Sequence, residues 1–135
     1  MTYLLDTNAI IALLNPSLRD TILPRIMRCD PGQVVTSAIV AHELYFGAHR
    51  STRRQENLSR LATLFRDIEP LPLTTDDCRE AGSIRAALAA EGTPIGPYDV
   101  LIAGQARCRD LVVVTGNTGE FRRVADLTIA DWLNE

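Results

Sequence analysis

Residues 3–10 read YLLDTNAI. The apolar run from Thr2 to Leu5 has the makings of a short strand, and Thr7 to Leu14 continues as a helix. Between the two stands Asp6. A carboxylate wedged between apolar stretches costs free energy unless something pairs with it. At the start of a helix, Asp6 or Thr7 is an N-cap, accepting a hydrogen bond from the first unpaired backbone N–H groups. At the end of a strand in a parallel α/β sheet, Asp6 would instead face the crevice where such folds bind ligands. The rest of the chain decides what the carboxylate is for.

Downstream, strand and helix signals alternate. A helix is expected over Ser17–Arg28, kinked or delayed by Pro24, followed by a turn at Asp30–Gly32 and a strand over Gln33–Thr36. Ser37 caps a helix running to His49, and Ser51 or Thr52 caps the next, with Leu58, Leu61, Ala62, Leu64 and Phe65 at helical spacing. Asp67–Leu73 holds a short strand flanked by prolines. The segment TTDDCREAGSIRAALAAEG, beginning at Thr74 with a threonine cap and an acidic first turn, stops at Gly92. A loop leads to a helix over Tyr98–Arg107, then to the strand Leu111–Thr115, and Leu127–Trp132 carries a last, edge strand. Alternating strands and helices predict an α/β fold, a central parallel β-sheet covered by helices on both faces. No repeat or linker divides the 135 residues, a length suited to one domain spanning 1–135.

The bulk composition narrows the function. With 46% hydrophobic and 23% charged residues the chain reads as soluble and globular. No apolar run is long enough to cross a bilayer, and Asp6 interrupts what would be a signal-peptide core. A cytoplasmic protein is expected. The three cysteines, Cys29, Cys78 and Cys108, are scattered and form no CxxC pair, so they read as reduced, partly buried thiols. The net charge of −3 does not advertise nucleic-acid binding. Every basic residue among the 14 is arginine, so any phosphate contact uses a planar bidentate donor and no mechanism that needs lysine is open.

In a parallel sheet the strand ends would bring distant acidic residues together. Asp6 ends the first strand, Glu43 lies in the helix after the second, Asp99 opens the helix before LVVVT, and Asn117 and Glu120 follow that strand. Each has a plain reading as a cap, a turn residue or a solvated helix position. Clustered, their hard oxygen ligands suit Mg²⁺, or Mn²⁺ in its place, rather than zinc. Phosphodiester hydrolysis is the natural chemistry of such a site, since an ion held there polarises a phosphate and acidifies a bound water.

The segments LLDTN, AHELYFGA, GTPIGPYDVLIAGQA and VVTGNTGEFRRV resemble the PIN-domain ribonucleases, and within them the VapC toxins of VapBC toxin–antitoxin pairs. The resemblance runs through the whole chain. It implies a Rossmann-like, three-layer PIN fold and an Mg²⁺-dependent endoribonuclease. Asp6, Glu43 and Asp99 would hold the metal. Asn117 would complete the catalytic set where the family often has Asp, with Glu120 as its possible substitute. Thr7, Thr115, Asn117 and Glu120 would orient the ligating carboxylates and their waters. The PIGPYD form resembles the subgroup that cuts initiator tRNA in its anticodon stem-loop. The resemblance further implies a homodimer, a VapB-type antitoxin that inhibits the toxin and joins it in a hetero-oligomer, and operator DNA bound only through that antitoxin. Leu13, Leu14, Ile22, Ile26, Tyr45 and Phe46 are candidates for the antitoxin groove, and Arg50, Arg53 and Arg54 for RNA backbone contacts.

Other chemistries lack their residues. A haloacid-dehalogenase-type phosphatase needs a second Asp where Asn8 stands, and a receiver domain needs lysine. A zinc-protease HExxH would require histidine where Phe46 stands, and no GxSxG nucleophile elbow occurs. The remaining alternative is a catalytically silent PIN-like module that binds RNA or a protein partner.

Overall fold

The computed structural model describes residues 1–134. Its elements alternate along the chain: β1 Tyr3–Leu5, α1 Thr7–Leu14, α2 Arg19–Met27, β2 Val34–Ser37, α3 Ala38–Arg50, α4 Arg54–Asp67, β3 Glu69–Leu71, α5 Thr75–Ala90, α6 Pro97–Cys108, β4 Val112–Val114, α7 Thr118–Phe121 and β5 Ile129–Ala130. All strand pairings are parallel, in the order β3-β2-β1-β4-β5, and the helices flank the sheet in a three-layer α/β arrangement. No helix among the described residues is long and apolar enough to cross a membrane.

The strand order has one physical consequence above all others. From β1 the chain builds outward through β2 to β3, then returns to the other side of β1 to lay down β4 and β5. The direction reverses between β1 and β4, and that switch point leaves a crevice at the carboxyl ends of the two strands. The strands beside it are buried on both faces: Leu4, Leu5, Val113 and Val114 are all inaccessible to solvent, as parallel strands covered by helices must be. The edges are weaker. Pro70 sits within β3, where an edge position spares the sheet its missing N–H.

Local chemistry explains most element boundaries. In α5, Thr74 accepts from the Asp77 N–H while Asp77 accepts from the Thr74 N–H, a reciprocal capping box. Gly92 ends the helix with φ +71, a conformation that costs other residues more. Against α5 lies Gly104 of α6, where an added Cβ would fall 2.5 Å from the Ala81 Cβ and 2.6 Å from its Cα. The absent side chain is what lets these helices approach.

Several boundaries differ from the sequence expectation. Asn15 accepts from both the N–H and the hydroxyl of Ser17, a turn that holds Ser17 out of α2, so the helix starts at Arg19 and carries Pro24 inside. Ser51 does not cap α4. Its hydroxyl donates to the Ala48 carbonyl at the end of α3, and α4 begins behind Arg53 without a side-chain cap. Pro97 opens α6, one residue before Tyr98, because proline at a helix's first turn loses no hydrogen bond. The short helix α7 stands where no element was expected. Cys78 and Cys108 are exposed rather than partly buried, and all three cysteines are free.

Candidate functional site

The site begins where β1 stops. The buried Thr36 hydroxyl of β2 donates to the Leu5 carbonyl at 2.7 Å, fixing the strand end. The Asp6 N–H then bonds the Val114 carbonyl of β4 at 3.1 Å, so Asp6 sits at the switch point itself. Its Oδ1 accepts from the Ala9 N–H at 2.9 Å and caps α1. Asp6 is therefore the cap of α1 and at the same time the residue at the strand-end switch point. Burial pushes the Asp6 carboxyl up to about 6, and the Glu43 charge adds to the rise, against hydrogen bonds from Thr115 and from the Ala9 and Asn8 N–H groups. A carboxylate used only as a cap needs no like-charged neighbour.

Thr7, freed from capping, points its hydroxyl at α3 and donates to Glu43 Oε1 at 2.8 Å. Ser37 caps α3 by accepting from the Ile39 N–H, which sets Glu43 in the helix's second turn, half-buried. Asp99 arrives from the first turn of α6, behind Gly96, where an added Cβ would come within 3.3 Å of its Oδ2. Burial is the main reason that the Asp99 carboxyl rises to about 7. Glu120 adds a hydrogen bond and a charge, and Asp6 and Glu43 add further repulsion. Glu120 moves the other way, held below its ordinary value by the hydrogen bond with Asp99 and one from Asn117. Asp99 and Glu120 thus behave as a carboxyl–carboxylate pair sharing one proton.

Asn117 spends its side-chain amide on a neighbouring acid. Its Nδ2 donates to Glu120 Oε2 at 2.8 Å, and its backbone N–H bonds the Thr115 hydroxyl at 2.8 Å. Thr115 links the two sides, since the same side chain also hydrogen-bonds Asp6. Asn117 and Thr115 each hydrogen-bond a carboxylate, and Glu120 is an acidic group that α7 brings beside Asp99. The signal for Glu120 was present as a three-residue spacing from Asn117, which faces the two side chains together only if the segment is helical.

Asp6, Glu43, Asp99 and Glu120 gather negative charge in one region, and their mutual repulsion adds to burial in raising the Asp6 and Asp99 carboxyls. No three His, Cys, Asp or Glu side chains among the described residues come close enough to cage an ion by themselves. Mg²⁺ fits such an open, all-oxygen set because it keeps several of its own waters.

The remaining candidates divide. A cavity of about 910 Å³ lies away from the carboxylates; α1, α2 and α4 contribute Leu13, Leu14, Ile26, Arg60 and Leu64 to its lining. Ile22 is not part of that groove. It is fully buried, because its face of α2 packs into the core. Tyr45 and Phe46 also lie outside the cavity: they are exposed on α3, Tyr45 edge-on to Phe65 and Phe46 under the Arg50 guanidinium. Arg53 pairs with Glu56 at 3.8 Å and Arg54 donates to the His49 carbonyl. One pair at the site was not anticipated: the His42 ring meets Tyr98 edge to face, 5.4 Å between centroids.

A family model described as the PIN domain matches residues 3–127. The chain is 37% identical over 132 residues to the tRNA(fMet)-specific endonuclease VapC of Salmonella typhimurium, covering 98% of each chain. It is 34% identical, with the same coverage, to the protein of that name from Shigella flexneri. The structure superposes on the DNA-bound VapBC of Salmonella typhimurium with a TM-score of 0.92, at 37% identity and 98% coverage of each chain.

Proposed function

Because the chain belongs to the PIN-domain family, in its VapC branch, we propose that it is the ribonuclease toxin of a VapBC-type pair, cutting RNA at the crevice between β1 and β4 with a divalent cation. The observation that carries this reading is the set of four carboxyl groups at one switch point, two of them forced upward in pKa by burial and by one another. A silent binding module gains nothing from such repulsion, whereas a cation turns it into a binding site.

Asp6, Glu43 and Asp99 would hold Mg²⁺, with Mn²⁺ as its substitute, and Glu120 would stand beside Asp99. When bound, such an ion supplies a polarised phosphate and a water acidified for in-line attack. The protein's own share is orientation. Thr7 holds Glu43 by its 2.8 Å bond, Thr115 holds Asp6, and Asn117 holds Glu120. An Asp99 carboxyl near 7 gives up its proton to a cation at little cost at neutral pH.

The names of the relatives support initiator tRNA as the substrate. The groove along Leu13, Leu14 and Ile26 suits the apolar side of an antitoxin segment, and a basic side chain of that partner would neutralise the crevice and inhibit it. Operator DNA would be bound through the antitoxin. Arg50 lies about 10 Å along α3 from Glu43 on nearly the same helix face, so it, Arg53 and Arg54 suit contacts with RNA phosphates distant from the cut. A homodimer and a cytoplasmic location complete the reading.

The test is purified, antitoxin-free chain with total bacterial RNA, in Mg²⁺ or EDTA, beside Asp6→Asn, with RNA 5′ ends mapped. Discrete new ends in the initiator-tRNA anticodon loop that need both Mg²⁺ and Asp6 are expected. Ends elsewhere would change the substrate, and none at all from folded protein would return the chain to a binding module.

A further inference from the structure

We propose that Tyr98, backed by His42, is a platform on which a nucleobase of the RNA stacks beside the acidic crevice. The inference rests on the nuclease reading above and adds to it a base-binding residue. Tyr98 immediately precedes Asp99 in the first turn of α6, and His42 immediately precedes Glu43 in α3. The two rings meet at 70° with centroids 5.4 Å apart. The aromatic contact therefore spans the same seam, α3 to α6, across which the Glu43 charge acts on the Asp99 carboxyl. Neighbouring Cα atoms lie about 3.8 Å apart, so each ring is rooted beside a carboxylate of the site.

Exposure makes the pair more than a staple between helices. Tyr98 is 44% exposed and His42 is exposed as well. A contact at 70° leaves the two rings unstacked, and 44% of Tyr98 remains exposed to solvent. The chemistry of the crevice says what it would accept. Carboxylates repel a polyanion until a cation neutralises them, so an uncharged contact at this rim adds affinity that the charges beside it do not oppose. A base laid on an aromatic face is such a contact, and it tolerates any base because every base has a π-face. The contact with His42 limits the swing of the Tyr98 ring, so the platform is held in place before a base arrives.

The test uses the full chain in Mg²⁺ and a synthetic RNA hairpin spanning the cut mapped in total RNA, with each base near the cut replaced in turn by an abasic sugar. Tyr98→Ala should lose about ten- to a hundred-fold in kcat/KM, and Tyr98→Phe, which keeps the ring, should recover most of that loss. His42→Ala should lose less than Tyr98→Ala. At one position the abasic sugar should cost the wild type about as much as Tyr98→Ala does, and cost Tyr98→Ala nothing further. A merely structural role would not produce that non-additivity. Wild-type rates from Tyr98→Ala, no recovery in Tyr98→Phe, or abasic losses that add to Tyr98→Ala at every position would each overturn the platform while leaving the nuclease standing. A wild-type chain that maps no cut in total RNA would remove the nuclease reading, and the platform with it.

Discussion

Thr7 Oγ1 donates to Glu43 Oε1 across 2.8 Å, joining the first turn of α1 to the second turn of α3, residues 36 positions apart in sequence. The hydroxyl is available because Asp6, not Thr7, caps α1. One residue's capping thus releases its neighbour to aim a carboxylate.

If that bond orients Glu43, Thr7→Val should lower RNA cleavage by roughly ten- to a hundred-fold, the range found for groups that orient metal ligands. Stability should change by only about 1 kcal/mol, the net worth of one such hydrogen bond. Thr7→Ser should regain most of the activity. Single-turnover cleavage together with urea melts checks this, and an unaltered Thr7→Val rate would show Glu43 to be positioned by its helix alone.

Asp6 carries two roles that substitution can separate. Asparagine caps helices about as well as aspartate, whereas alanine loses roughly 1 kcal/mol of capping. Asp6→Asn should therefore fold as stably as the parent, or more so in EDTA where like charges are relieved, and yet cut no RNA. Asp6→Ala should be both inactive and less stable. Cleavage retained by Asp6→Asn would reduce Asp6 to its cap.

The raised carboxyls set a pH dependence with a definite sign. Asp6 near 6 and Asp99 near 7, against 3.8 for each ordinarily, mean that the folded chain binds more protons than the unfolded chain between about pH 4 and 7. In EDTA, their contribution to stability should therefore fall as pH rises through that window, and the difference in Tm between wild type and Asp99→Asn should widen in favour of the variant. Added Mg²⁺ must displace those protons, so its stabilisation should grow from pH 5 to pH 8. Scanning calorimetry across pH measures both. A Tm difference from Asp99→Asn that stays flat, or Mg²⁺ stabilisation equal at both ends, would contradict the proton-sharing pair.

Away from the site, the fully buried Asp77 is held by Arg109 through contacts of 3.2 Å and 2.8 Å. Burial alone would raise the Asp77 carboxyl, but the hydrogen bonds from Arg109 and Thr74 outweigh it and hold it below its ordinary value. Arg109→Met should cost toward the low end of the roughly 3–5 kcal/mol typical of breaking a buried pair, since the Arg109 side chain is 29% exposed. The stability due to Asp77 is present above its unfolded value and should be lost as pH falls through the lower folded one. Guanidinium melts at neutral and acid pH check both, and a change within about 0.5 kcal/mol would mark Arg109 as an ordinary surface residue.

What the sequence determined by itself is local. YLLDTN declares a strand passing directly into a capped helix, Thr74 with Asp77 declares the start of α5, and Gly92 declares its end, because caps and turns depend on residues within a few positions of each other. The alternation of elements then implies a parallel sheet, and the motifs around Asp6, Glu43 and Asp99 mark the crevice. The tertiary structure decided what lies next to what. Only the strand order sets β4 beside β1, and only that neighbourhood sets Asp99 and Glu120 within reach of one proton while Asn117 turns aside to hold Glu120. Ile22 has the same helical spacing in either case, but burial depends on which face the core covers. Through-space repulsion and burial have no sequence range, so they become legible only once the chain has brought distant residues together.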